Sequence, residues 1–177
     1  MLSDSGSVLP HLYWITGLSA SGKTTLAEAL QTALQQQGRQ VIVLDGDNLR
    51  KGLCSDLELS EADRKENIRR AGEVSCLLLE NNISVICALI SPYRQQRQAV
   101  RDRVPAAQFS EIYLAPALET CISRDPKGLY AKALAGEIKG MTGLDAPYQV
   151  PGQPEFQFDT EVMSIMDMIA EILPCRS

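Results

Sequence analysis

The sequence predicts an α/β protein, a doubly wound parallel sheet with helices on both faces. Three observations predict it. Short apolar runs that do not alternate with polar residues recur along the chain, as strands buried on both faces require. Helical periodicity separates these runs, the pattern of repeated βα units. Polar or glycine-containing segments begin at Gly17, Asp45 and Ser91, each just after an apolar run, where open parallel sheets place their ligands.

Residues 12–16 form the first run, followed by a glycine-rich turn and a helical pattern with Leu26, Leu30 and Leu34 four residues apart. Gly38 stands where a left-handed residue closes a helix. Residues 41–44 form a second run that ends in Asp-Gly-Asp. Ser60 and Asp63 make an S-x-x-D start to a helix through Ile68, Ala71, Val74 and Leu78. Residues 83–90 are the third strand, and Pro92 opens the next helix. Residues 112–114 are the fourth. Residues 124–151 are rich in Gly, Pro, Lys and Asp and have little apolar periodicity, so they read as a mobile lid and substrate loop. Residues 156–158 form a last short strand and 162–173 a closing amphipathic helix.

A length of 177 residues suits one domain, with residues 1–10 as an N-terminal tail. The net charge of −5, without a basic run, argues against polymeric nucleic acid, whose phosphates demand clustered cations. Five cysteines without a C-x-x-C pair read as reduced thiols of a cytoplasmic protein. His11 is the only histidine and leaves little for zinc or a histidine-based triad. The first ten residues lack the pattern of a secretory signal, and no apolar stretch approaches a membrane span. Cytoplasmic location without a membrane partner is the expectation.

The strongest motif is Gly17-Leu18-Ser19-Ala20-Ser21-Gly22-Lys23-Thr24, which fits G-x-x-x-x-G-K-[ST] between a strand and a helix. Such a loop wraps backbone amides around a β-phosphate, and the helix N-terminus adds partial positive charge. Lys23 is expected to reach the β- and γ-oxygens of ATP, and the Thr24 hydroxyl to ligate Mg²⁺, with Thr25 next to it at the nucleotide. A guanine-reading N-K-x-D is absent from the chain, and motor ATPases need more length. A small-molecule kinase of the nucleoside-kinase-like P-loop NTPase fold remains.

The second motif is Leu44-Asp45-Gly46-Asp47-Asn48-Leu49-Arg50. Its paired carboxylates suit Mg²⁺ or the proton of an attacking hydroxyl, and an Asp-Gly turn is the bland alternative. Arg64, Asn67 and Arg70 follow at three-residue steps on one helix surface. Then come Leu89-Ile90-Ser91-Pro92-Tyr93 and Arg124-Asp125-Pro126-Lys127-Gly128-Leu129-Tyr130.

From Gly17 through Tyr148 the chain resembles adenylylsulfate kinase, which uses ATP to phosphorylate the 3′-hydroxyl of adenosine 5′-phosphosulfate to 3′-phosphoadenosine 5′-phosphosulfate. The matching pieces, in family order, are L-D-G-D-N, S-E-A-D-R-x-E-N-I-R-R, I-S-P-Y-R, R-D-P-K-G-L-Y and G-E-I-K-G-x-T-G-x-D-x-P-Y. The resemblance implies that Asp47 is the base or metal-coupled carboxylate, with Asp45 beside it. It implies that Arg50, Arg64 and Asn67 hold the phosphosulfate end, where guanidinium forks match anionic oxygens. Ile90 would contact the acceptor through its backbone, Arg124 would lie against the ATP adenine, and Lys127 and Lys139 would belong to the lid near the transferring phosphate. Ser91 matches the serine that the family describes as a phosphoserine intermediate, although in-line transfer needs no covalent stop. A homodimer is also implied.

Two departures fall at the acceptor base. Where the family carries a stacking phenylalanine in each of two segments, this chain has Leu59 and, within Lys139-Gly140-Met141-Thr142, Met141. Stacking on an aromatic ring is worth about 1 to 3 kcal/mol per base. Either the pocket is softened, with Leu59, Met141 and Thr142 still bordering adenine, or it is rebuilt for another nucleotide such as cytidine diphosphoramidate, with Glu58 available to a base amine. A catalytically silent nucleotide-binding regulator is the alternative from a different class.

Overall fold

A computed structural model describes residues 9–173. Most of the expected tail at residues 1–10, and Cys175, lie outside the described residues. Five strands form one parallel sheet in the order β2-β3-β1-β4-β5. They are β1 (Leu12–Thr16), β2 (Val41–Asp45), β3 (Ser84–Ala88), β4 (Phe109–Leu114) and β5 (Phe156–Phe158). The helices are α1 (Lys23–Gln36), α2 (Gly46–Lys51), α3 (Glu61–Glu80), α4 (Arg94–Arg101), α5 (Leu118–Arg124), α6 (Leu129–Leu134) and α7 (Ile165–Ile172), with a 3₁₀ turn at Ala106–Gln108.

The period of two along β1 divides the core. Tyr13 and Ile15 face a layer that includes Leu26, Leu30, Leu34, Met168 and Ile172 of α1 and α7. Leu12 and Trp14 face the opposite layer, with Ile68 and Ala71 of α3 and Val100 of α4. Burying one such aliphatic side chain contributes about 1.5 to 3 kcal/mol, so the two layers fix the strand ends that carry the site. Ser60 caps α3 as expected: its Oγ accepts from the Asp63 amide at 3.1 Å and donates to Asp63 Oδ2 at 2.7 Å.

Several boundaries differ from expectation for physical reasons. β3 stops at Ala88 rather than residue 90, because β1 turns away into a loop at Gly17 and β2 into α2. Ser91 then adopts φ 40°, which ends the extended run. β4 begins at Phe109, earlier than its apolar residues suggest, because Glu111 is buried in an ion pair with Arg97 at 2.6 Å. The helix expected from Pro92 starts at Arg94, and the closing helix spans Ile165–Ile172, capped by Ser164. The Asp-Gly-Asp segment is no simple turn but the start of α2. The expected lid at 124–151 contains α6 and a bridge between Thr142 and Ala146. No described helix is long and apolar enough to cross a membrane.

Candidate active site

The loop after β1 is shaped by close approach. Gly17 has φ 152°, and a Cβ there would lie 2.7 Å from the Leu114 carbonyl oxygen, so only glycine fits without movement. Gly22 precedes α1, whose first turn receives no side-chain cap. Its amides are left open to an anion, with the helix dipole behind them. Lys23 is half-buried, and its Nζ donates to the Leu18 carbonyl at 2.5 Å and Ser21 Oγ at 3.4 Å. Desolvation pulls its pKa down to about 8, against the lesser pull of nearby Asp45 and Asp47.

Thr24 Oγ1 donates to Asp45 Oδ2 at 2.9 Å, joining this loop to the end of β2. The other oxygen of Asp45 caps α2 by accepting from the Asp47 amide at 2.9 Å. Asp47 in turn forms an ion pair with Lys127, and both side chains are exposed. Three oxygen-bearing side chains, Thr24, Asp45 and Asp47, thus stand together. Among the described residues no cluster of three or more His, Cys, Asp or Glu could hold a metal. The set suits a hard cation such as Mg²⁺, which takes one or two carboxylates plus phosphate oxygens.

The opposite end is cationic and unneutralised. Arg50 donates to the carbonyls of Leu57 and Glu58 at 3.3 and 3.0 Å. Arg64 donates to the Leu59 carbonyl at 2.9 Å, and to Thr142 Oγ1 and the Gly140 carbonyl at 2.5 Å each. Neither has a carboxylate partner, whereas Arg69, Arg70, Arg97, Arg101 and Arg103 all do. Burial pulls the Arg64 pKa down. Arg70 therefore differs from its neighbours in the motif, being held by Asp56 and Glu66 away from the site. Beside Arg64, the Nδ2 of buried Asn67 has no hydrogen-bond partner, the condition of a group that a ligand completes.

One cavity of about 950 Å³ joins these ends. Ser19, Ala20, Gly22, Lys23, Thr24 and Thr25 line it from the loop and α1, and Asp45, Asp47 and Arg50 from the end of β2 and from α2. Leu59, Arg64, Asn67, Ile90 and Ser91 line its far side, with Arg124, Lys127, Lys139, Met141 and Thr142 along the returning segment. Gly17, Leu18 and Ser21 do not line it. Arg124 donates to Thr160 Oγ1 and the Thr160 carbonyl at 2.8 and 3.0 Å. Leu59 is 53% exposed, whereas Met141 is buried at 9%.

A model of the adenylylsulphate kinase family matches residues 9–159. The chain belongs to that family. It is 51% identical over 164 residues to the adenylyl-sulfate kinase of Marinobacter nauticus, covering 93% of this chain and 82% of the relative. The adenylyl-sulfate kinase of Citrobacter koseri is 50% identical over 160 residues, covering 90% and 79%. Among solved structures, the Mycobacterium tuberculosis APS kinase CysC in complex with AMPPNP and APS superposes with TM-score 0.87 at 42% identity, covering 92% of this chain and 95% of that one. A Sinorhizobium meliloti gluconokinase, at 18% identity and TM-score 0.58, shares the fold.

Sequence reasoning missed one wall of this adenylylsulphate kinase family site. Thr160, Met163, Ser164, Ile165 and Met168 line the cavity from the end of β5 into α7. Their signal is positional, since the polar segments after β1, β2 and β3 also face the ligand edge of the sheet. Ser91 lines the cavity, yet its residue is 1% exposed and its Oγ accepts from Trp14 Nε1 at 3.0 Å and donates to the Leu89 carbonyl at 3.3 Å. Glu58 is exposed and does not line the cavity.

Proposed function

We propose that this chain transfers the γ-phosphate of ATP to the 3′-hydroxyl of adenosine 5′-phosphosulfate, giving 3′-phosphoadenosine 5′-phosphosulfate and ADP. The observation that carries the reading is the polarity of the cavity. At one end stand the uncapped amides of α1 with Lys23, and at the other Arg50 and Arg64 without carboxylate partners. Asp45 and Asp47 connect the two ends, through Thr24 on one side and through α2 to Arg50 on the other.

In the proposed reaction the acceptor's anionic end lies on Arg50, Arg64 and Asn67, with its base against Leu59, Met141 and Thr142. Asp47 takes the proton of the 3′-hydroxyl as the new O–P bond forms and the bond to ADP breaks. Lys23 and the loop amides meet charge on the phosphoryl oxygens, and Lys127 and Lys139 approach it from the returning segment. Arg124, held by its hydrogen bonds to Thr160, flanks the adenine of ATP. When bound, Mg²⁺ at Thr24 and Asp47 would neutralise charge on the phosphates. Transfer is direct: the Ser91 hydroxyl is engaged by Trp14 and Leu89, so it serves the backbone rather than carrying phosphate.

The reading extends to a single-domain subunit that works in the cytoplasm as a homodimer. Coupled measurement of ADP release tests the chemistry. Adenosine phosphosulfate with MgATP is expected to release ADP well above the acceptor-free rate, and cytidine diphosphoramidate is expected not to. No release with either would make the chain a silent nucleotide binder. Sedimentation of the protein that returns a monomer or a hexamer would replace the dimer.

A further inference from the structure

Arg97 is 3% exposed on α4 and does not line the cavity, yet its guanidinium reaches three separate parts of the chain. Its Nε donates to Glu111 Oε1 at 2.6 Å, one terminal nitrogen to the Ser91 carbonyl at 2.6 Å, and the other to the Gln149 carbonyl at 2.7 Å. Each of the three guanidinium nitrogens thereby has an acceptor, an arrangement that lysine does not reproduce.

The two carbonyls belong to segments that need holding. Ser91 is a non-glycine residue at φ 40°, a conformation that persists only where the surroundings enforce it. It follows Ile90, whose carbonyl accepts from Thr16 Oγ1 at 2.7 Å, and both residues line the half of the cavity next to Asn67. Gln149 lies where the returning segment leaves the cavity. Its amide donates to the Pro92 carbonyl at 2.7 Å and its side chain accepts from the Arg94 amide at 2.9 Å. Next to it, Tyr148 shares a 2.9 Å hydrogen bond with Thr16 Oγ1, and its ring centroid lies 5.8 Å from the Arg97 guanidinium.

We propose that Arg97 is a positioning residue for the acceptor. It fixes the backbone of Ile90 and Ser91 at the acceptor end and anchors the C-terminal end of the segment that carries Lys139 to Thr142. It rests on the functional reading above, which places the acceptor at that end. Loss of the clamp lets both walls of the acceptor half drift while leaving the phosphate loop intact, and small misplacements of this kind are expensive in rate and binding.

The test is Arg97→Lys, which keeps a cation against Glu111 but lacks the fork. The KM for adenosine phosphosulfate is expected to rise about tenfold or more, while the KM for ATP stays within about twofold. Amide hydrogen exchange over residues 148–150 of the ligand-free protein is expected to accelerate. A purely structural Arg97 would lower the melting temperature and the active fraction without separating the two KM values. If Arg97→Lys does not fold, Arg97→Met combined with Glu111→Met removes the buried pair without stranding a charge and is read the same way. An acceptor KM that does not rise selectively, or exchange that does not accelerate, overturns the proposal. Should the wild-type enzyme not turn over adenosine phosphosulfate, the functional reading falls by itself. The exchange measurement then decides the clamp: acceleration supports the anchoring, and unchanged exchange overturns it.

Discussion

Lys127 and Asp47 form an ion pair within the lining of the cavity, joining the segment after α5 to the first turn of α2. Their side chains are 53% and 58% exposed, so solvent screens the pair and opening it costs little. The carboxylate proposed to accept the hydroxyl proton is therefore held by a partner that releases it easily.

Replacing Asp47 by Asn removes that acceptor while keeping its shape. Turnover is expected to fall about 100-fold or more, with ATP affinity within about threefold of wild type. Steady-state ADP release and calorimetric titration with ATP check the two halves. An unchanged rate would remove Asp47 from the chemistry.

Lys23 supplies a pH signature. Its folded-state pKa of about 8 lies below the ordinary 10.5. Between these values the unfolded chain holds a proton that the folded residue has shed, so this group makes the ligand-free protein more stable as pH rises through the window. A bound triphosphate favours the ammonium form, so ATP binding at pH 9 is expected to take up protons and to weaken as pH rises. Calorimetry in buffers of different ionisation heat measures the uptake, and Lys23→Arg should abolish it.

Leu59 is the accessible side of the proposed base pocket. Leu59→Phe is expected to tighten adenosine phosphosulfate about fivefold or more, because a stacked ring contributes about 1 to 3 kcal/mol. Thermal shift in the presence of ADP reads the gain. Met141→Phe has to fit among Cys121 and Tyr130, so its benefit is expected to be smaller. No gain from Leu59→Phe would indicate a pocket built for a different base.

Stability at the α3–α4 contact depends on Gly72. A Cβ there would meet Val100 Cγ2 at 2.9 Å, and a helical valine has one strongly preferred rotamer with which to yield. The helix propensity gained with alanine, about 1 kcal/mol, is smaller than the upper range of overpacking costs, about 1 to 3 kcal/mol. Gly72→Ala is expected to lower the melting temperature by about 4 °C with unchanged KM values. Adding Val100→Ala should recover part of the loss of the contact.

What could be read from the chain alone was local. The phosphate loop, the unalternating strands β1 to β3 and the Ser60–Asp63 cap all declare themselves within a few neighbouring residues. The helices α2, α5 and α6 are six or seven residues long, too short to show two turns of apolar periodicity. Glu111 reads as a polar break in a strand until Arg97, 14 residues away, is seen to neutralise it in the core. The roles of Arg97 and Thr160 depend on partners far along the chain, such as Gln149 and Arg124, and no spacing rule announces them. In the acceptor motif the same limit applies: Arg64 and Arg70 look alike by position, and only Asp56 and Glu66 distinguish them.

The carboxylate of Asp45 is divided between two tasks, one oxygen on the Asp47 amide and the other on Thr24. Whatever tugs on Thr24 therefore tugs on the start of α2, and Arg50 rides near the far end of that helix. Fewer than two turns of helix thus separate the phosphate loop's hold on Asp45 from the guanidinium of Arg50.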